Sequence, residues 1–267
     1  MGKGKPFLEI LASALHGDYK FPIPEFLAFL FLLSSFVFAS FGGFASQGIP
    51  EEYFVFFMTN SLMGLPLFIL VMLLLRNIAS GIGNDLEKGI IQTILAYPLK
   101  RRSILTAKLL SAFGVAILLF LGAQISALFI LAPDMVGPNL SVVLLTYAAN
   151  MSSALFIASI TLLMTLLLRK GSLAVLIGIM FFFLFGILTS LVSFIAHAMD
   201  SLLPMQLYSV YSPSFAINFY YSSLQGIEHV FWAPSFSEAL MYIGAGYSIT
   251  AFIFILSYFY FCRRLNV

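Results

Sequence analysis

Charge is what this 267-residue chain has least of: 9% of its residues are Asp, Glu, Lys or Arg, against about 25% in a soluble globular domain. So few charges cannot cover a water-facing surface, and 61% of the residues are hydrophobic. Cysteine is scarcer still. The single Cys262 excludes a disulfide framework within the chain, and no metal-ligand spacing is present. Three scattered histidines and one cysteine give no Ser-His-Asp or Cys-His arrangement. No phosphate-cradling GxxxxGK[ST] loop follows a strand, and the opening Gly2-Lys3-Gly4-Lys5 is a basic leader. The chain is therefore expected to be no enzyme and to hydrolyse no ATP itself. All 11 carboxylates lie outside the apolar stretches or at their ends, which argues against an ion-coupled carrier, where a buried ionisable group is retained for a job.

What the chain has in quantity is apolar sequence at the ~20-residue length that a ~30 Å hydrocarbon core demands. Such stretches fall at 26–45, 53–78, 104–131, 140–168, 173–195 and 239–261. They are continuous, as in 67–75, and lack the alternation of a lipid-facing strand. The expected fold is an all-α integral membrane protein with six transmembrane helices, residues 1–267 forming a single transmembrane domain. Pro66 falls inside the second stretch, where neighbouring helices can satisfy the carbonyl it frees.

The net charge of +2 hides an asymmetry. With six spans, all 13 basic residues fall on one side together with five acids, a balance of +8, and the other six acids fall opposite, a balance of −6. By the positive-inside rule the basic side is cytoplasmic, and both termini lie there.

Between the spans, four segments stand out. Residues 1–22 read as a retained cytoplasmic leader in which Phe7, Leu8, Leu11 and Leu15 at helical spacing form a short interfacial helix; the alternative is a disordered leader. Residues 84–98 read as a cytoplasmic amphipathic helix. Asn84 or Asp85 is its expected N-cap, Asp85 and Glu87 lie in its first turn, and Leu86, Ile90 and Ile94, with Ile91, form its apolar face. Pro98 ends it. The second basic-side loop, 169–172, is a bare turn. Residues 196–237, on the opposite side, are full of aromatics, including Tyr208, Phe215 and Trp232, and read as one or two short helices at the outer interface.

The strongly polar residues within spans include Asn60, Gln124 and Asn150. Each has two readings, interhelical hydrogen bonding worth ~0.6 kcal/mol on average or lining of a translocation path. His197, at the end of the fifth span, is read as structural rather than as a proton relay. Gly114, Gly122, Ala123, Gly178 and Gly186 suggest close helix packing.

From Glu87 onward the loop resembles a pattern of the membrane (permease) subunits of type-2 ATP-binding-cassette (ABC) exporters: Glu-x-Gly-Thr-Leu-Glu-x-Leu-Leu-x-x-Pro-x-x-Arg-x-x-Ile-Leu-x-x-Lys. Glu87, Gly89, Ile94, Leu95, Pro98, Arg101, Ile104 or Leu105, and Lys108 stand at matching steps, while Ile90, Ile91 and Gln92 replace the threonine, the leucine and the second acid. Ser212-Pro213-Ser214-Phe215-Ala216 resembles that family's proline-bearing outer segment. The resemblance implies a cell-membrane permease that pairs with a second copy or homologue, sits in lipid, binds no nucleic acid, and docks separate ATPase subunits through a coupling helix. Asp85, Glu87, Lys88, Gly89, Gln92, Pro98 and Arg101 would make that docking surface. This chain would bind no cofactor; ATP and Mg would sit on the partner. The alternative function is a non-transporting membrane scaffold or sensor that recruits a cytoplasmic partner.

Overall fold

The computed structural model describes residues 5–20, 22–41, 50–95, 100–225 and 231–263. Among these, helices account for nearly all regular structure and there are no strands, as continuous apolar runs in lipid require. Five helices are long and apolar enough to cross a membrane: α3 (Glu51–Glu87), α5 (Arg101–Leu131), α7 (Leu140–Leu168), α8 (Gly171–Met199) and α11 (Phe236–Arg263). The count becomes six where α1 (Lys5–Asp18) and α2 (Ile23–Phe41), a pair bent by 59°, are taken together as one span. The end of the expected first span, 42–45, lies outside the described residues. Short helices fill the connections: α4 (Ile90–Leu95), α6 (Pro133–Val136), α9 (Leu203–Tyr211) and α10 (Pro213–Ser223).

α7 is the centre of the bundle. It packs against α3 and α11 most extensively and against α8 and α10 as well, and 61% of its most apolar stretch is buried, against 6% for α8. α8 is therefore a rim helix whose large side chains, such as Phe183, Ile187 and Phe194, face outward. Gly178 is the exception on its inner face, where a Cβ would collide with the Thr161 hydroxyl and lie 2.7 Å from Leu75. Gly122 and Gly186, expected at close contacts, have nothing among the described residues within 4 Å of where a Cβ would be. They sit on faces this chain leaves open, so spacing alone misplaced them.

The 196–237 segment forms two short helices, as its prolines suggested, but these do not simply rest at an interface. Met205, Tyr208, Phe215, Ala216, Trp232, Tyr242 and Ala196 pack into one buried cluster that closes the end of the bundle between α8 and α11. Tyr221 stacks on Phe56 of α3 at 4.5 Å, and Asn139 donates to Glu51 at 2.8 Å. Aromatic rings stabilise one another by offset and edge contacts beyond their area, so the cap is held by ring packing.

Candidate coupling site

At the basic end the spans do not stop at the apolar boundary. α3 runs on through a π-helical segment, Ala79–Gly83, into Asn84–Glu87, and α5 contains a second, Leu110–Gly114. A π segment shifts the helical ladder and leaves a carbonyl that needs another partner. Side chains supply it in both cases. Lys108 donates to the Gly81 carbonyl at 2.6 Å, and Asn77 donates to the Ala112 carbonyl at 3.1 Å.

These partners belong to a larger polar corner between α1, α3 and α5. Asp18, 5% exposed, accepts from the Ser111 hydroxyl at 2.6 Å. Arg76 donates to the Asp18 carbonyl at 3.2 Å, Asn77 donates to the Tyr19 hydroxyl at 2.7 Å, and Lys108 pairs with Asp85. Burial pushes the Asp18 carboxyl above the usual carboxylate range, with the Ser111 hydrogen bond, Lys108 and Arg76 opposing it. Burial, and then the Asp18 charge, push Tyr19 up to about 12, so its hydroxyl stays protonated as a donor toward Ala112.

A carboxyl raised on folding contributes stability that is present at low pH and lost as pH rises through its folded value. Stability of wild type relative to Asp18→Asn, which keeps a hydrogen-bonding oxygen without the charge, should therefore fall as pH climbs from the ordinary aspartate range towards neutrality. Thermal melts of the two purified proteins across pH 4 to 8 check this; parallel curves would show that Asp18 is not desolvated.

The short basic-side turn is locked into this corner. Arg169 ends α7 in the left-handed region, φ 55°, and Gly171 begins α8 against the π segment. A Cβ on Gly171 would lie 2.7 Å from the Ala79 carbonyl oxygen, and one on Gly83 would collide with the Gly171 Cα. Only glycine at both positions permits this approach of two backbones.

The expected docking helix differs from the sequence reading in its phase. Asn84 continues the helix from Gly83 in helical geometry, its backbone N–H donating to the Ala79 carbonyl. Asp85 and Glu87 accordingly close a 37-residue helix instead of opening a short one. The break comes at Lys88 and Gly89, the latter at φ 71°, which is costly for residues with a Cβ. This break resets the register: Ile91 is buried and Leu86 packs against the core, whereas Ile90 is 41% exposed. Asn84, Glu87, Lys88, Ile90 and Thr93 form the exposed knuckle. Asp85 is turned inward to Lys108, and Arg101 is half-buried in the first turn of α5. Gln92 lies in α4, and Pro98 lies outside the described residues.

The candidate path residues divide into two groups. Gln124 is fully buried, donating to Ser35 at 2.6 Å and accepting from Tyr147 at 3.3 Å, which ties α2, α5 and α7 together. Asn150 donates to Asn60 at 3.1 Å, and both are half-buried between α3 and α7. Nearby in sequence, Thr59 and Ser152 bury hydroxyls that have no partner among the described residues. His197 stacks on Phe231 at 4.2 Å.

Sequence reasoning missed Asp18, Tyr19, Asn77 and Ser111. Their signal was weak: single polar residues at the edges of apolar runs, meeting only when three helices converge.

Apolar spans on an aromatic-capped helical bundle, with one end worked into an irregular polar corner, define a multi-pass membrane protein. A family model for ABC-2 family transporter proteins matches residues 79–264. The match covers well over half of the chain, which therefore belongs to that family. It begins at the first residue of the α3 π segment. No curated protein matches the chain. The family is one of membrane transport components, and its permeases work with ATP-binding subunits.

Proposed function

We propose that the chain is the permease half of an ATP-driven exporter, forming the translocation path as a pair and taking its drive from separate ATPase subunits that dock on the 84–95 knuckle. The observation that carries this is mechanical. The exposed turn at Glu87 to Ile90 is the continuation of a spanning helix, and Lys108, Asp85 and the glycine contact fix it to α5 and α8. A push there reaches three spans as a rigid displacement, which a loose loop cannot transmit. The outward face of α8 supplies apolar surface for a second copy, and the Asn60–Asn150 pair is the leading candidate for the path. The basic end is cytoplasmic in this reading, and the membrane is the cell membrane.

Single cysteines tested with an impermeant thiol reagent on intact cells check the sidedness, after Cys262 is replaced. Cysteines at Glu51, Pro138 and Ser222 should react from outside, and those at Lys88 and Lys170 only after permeabilisation. Labelling at Lys88 in intact cells would overturn the docking assignment.

A further inference from the structure

We infer that the polar strip where α3, α7 and α10 meet is a binding site for a neutral, polyhydroxylated group, a hexose-type ring carried on a lipid or free in solution; this rests on the permease reading and names the class of its cargo. The strip is continuous. Asn150 donates to Asn60 at 3.1 Å, and Ser153, one turn along α7, donates to the Ser212 hydroxyl at 3.4 Å. Ser212 pairs in turn with Ser214 at 3.3 Å, and Asn218 donates to the Ser214 carbonyl at 2.8 Å. Ser212 is buried and the other five are half-buried. Asn60 lies nine residues into α3 and Asn150 ten into α7, about 14–15 Å from their outer ends, half the depth of a ~30 Å hydrocarbon core. The elbow between α9 and α10 reaches the same level: a Cβ on Gly246, ten residues into α11, would lie 2.9 Å from the Pro213 ring and 3.2 Å from the Val210 carbonyl oxygen.

Polar groups at this depth are costly unless they meet a partner or line a wetted path, and the ones left open select the occupant. Asn150 spends its amide hydrogens on Asn60 and on the Thr146 carbonyl, which leaves its own carbonyl oxygen free to accept. The Asn60 amide hydrogens have no partner among the described residues. An open acceptor beside open donors suits a hydroxyl, which does both. A cation would call for acceptors alone and an anion for donors alone, and no Asp, Glu, Lys, Arg or His occurs in α7, α9 or α10, or in α3 between Glu52 and Arg76. The serines can exchange partners, because 3.3 and 3.4 Å are long for hydroxyl pairs, which prefer ~2.7–2.8 Å. Peptide groups facing one side of an extended chain recur only about every 7 Å, too widely for a row so closely set, whereas a ring carries hydroxyls on neighbouring carbons. Beside Ser212, Tyr211 is 45% exposed with its ring 5.7 Å from that of Phe156, a flat apolar face for the C–H side of a sugar. Selection by the donors and acceptors lining a path is how transporters discriminate.

The test is native mass spectrometry of the purified full chain in a non-glycosidic detergent, titrated with monoglucosyldiacylglycerol, with diacylglycerol of the same chains and with phosphatidylserine. Wild type should retain one glucosyl lipid with about a 30-fold preference over each of the others, the worth of two neutral hydrogen bonds. Asn60→Leu with Asn150→Leu should abolish the preference; both partners of the pair go together, so no buried group is orphaned and folding is kept. Ser214→Ala, which removes a single hydroxyl, should cut it about fivefold. Free glucose that displaces the glucosyl lipid at matched concentration would support the site and assign it to the free sugar, and failure to displace would support it and assign it to a lipid headgroup. Equal retention of the three lipids by wild type, tighter retention of phosphatidylserine, displacement by N-acetyl-trialanine amide at matched concentration, or an unchanged preference in both variants would each overturn it. None of these readouts involves the ATPase: a chain that docks its ATPase and ignores glucose loses the cargo class and keeps the permease reading.

Discussion

Gly171→Ala will lower the thermal midpoint of the purified protein, and Gly171→Val will lower it further, by the equivalent of about 1–3 kcal/mol for overpacking a tight contact. The neighbour it meets is a backbone carbonyl, that of Ala79, which cannot rotate away as a side chain would. Gly83→Ala should behave alike, since its Cβ would strike the Gly171 backbone. The contrast is with Gly122→Ala and Gly186→Ala. Their positions are open, so alanine's better helix propensity should leave stability unchanged or raise it by up to about 1 kcal/mol. A uniform response across the four glycines would mean that the α3–α8 backbone contact is not present. Where Gly171→Ala still folds, its displaced π segment should also weaken coupling, because the knuckle begins one residue beyond Gly83.

Glu87→Arg should leave insertion and folding intact while lowering ATPase affinity about a hundredfold, the effect of ~3 kcal/mol from a like-charge clash in an interface. The corrected position of Glu87 makes the two halves of this result separable. At the end of a long helix a negative side chain opposes the helix dipole, and a positive one is favoured by ~0.3–1 kcal/mol. The isolated variant should thus be at least as stable as wild type, so lost association cannot be attributed to lost folding. Gly89 needs a different probe, because its φ of 71° strains a bulky residue whether or not a partner is present. Gly89→Asn, which tolerates the left-handed region, should keep the knuckle, and Gly89→Val should distort it. Co-purification with the cognate ATPase subunit and ATP-dependent transport measure both series.

Much of the fold could be read from the sequence because the bilayer is a severe filter. Apolar length was enough for the helical class and for most span boundaries, although α3 runs nine residues past its apolar stretch, to Glu87. The knuckle was legible only in outline. Periodicity grouped Leu86 with Ile90 because nothing in the letters marks where a helical ladder slips; the π segment and the Gly89 break moved the inward face to Ile91. Asp18 was hidden for a related reason: it lies in a polar-looking leader, and only the convergence of α1, α3 and α5 buries it. The glycines erred in the opposite direction. Spacing nominated Gly122 and Gly186, which are open, and passed over Gly83 and Gly171, whose importance comes from a loop folding back on a helix far away in sequence.

The most direct test of docking at the knuckle is site-specific photo-crosslinking in the assembled transporter. A photoreactive residue at Glu87 or Thr93 should capture the ATPase subunit, while the same group at Pro138 or Ser222, at the other end of the bundle, should not. Failure at Glu87 and Thr93 in a transport-competent complex, or capture from Pro138, would contradict the account.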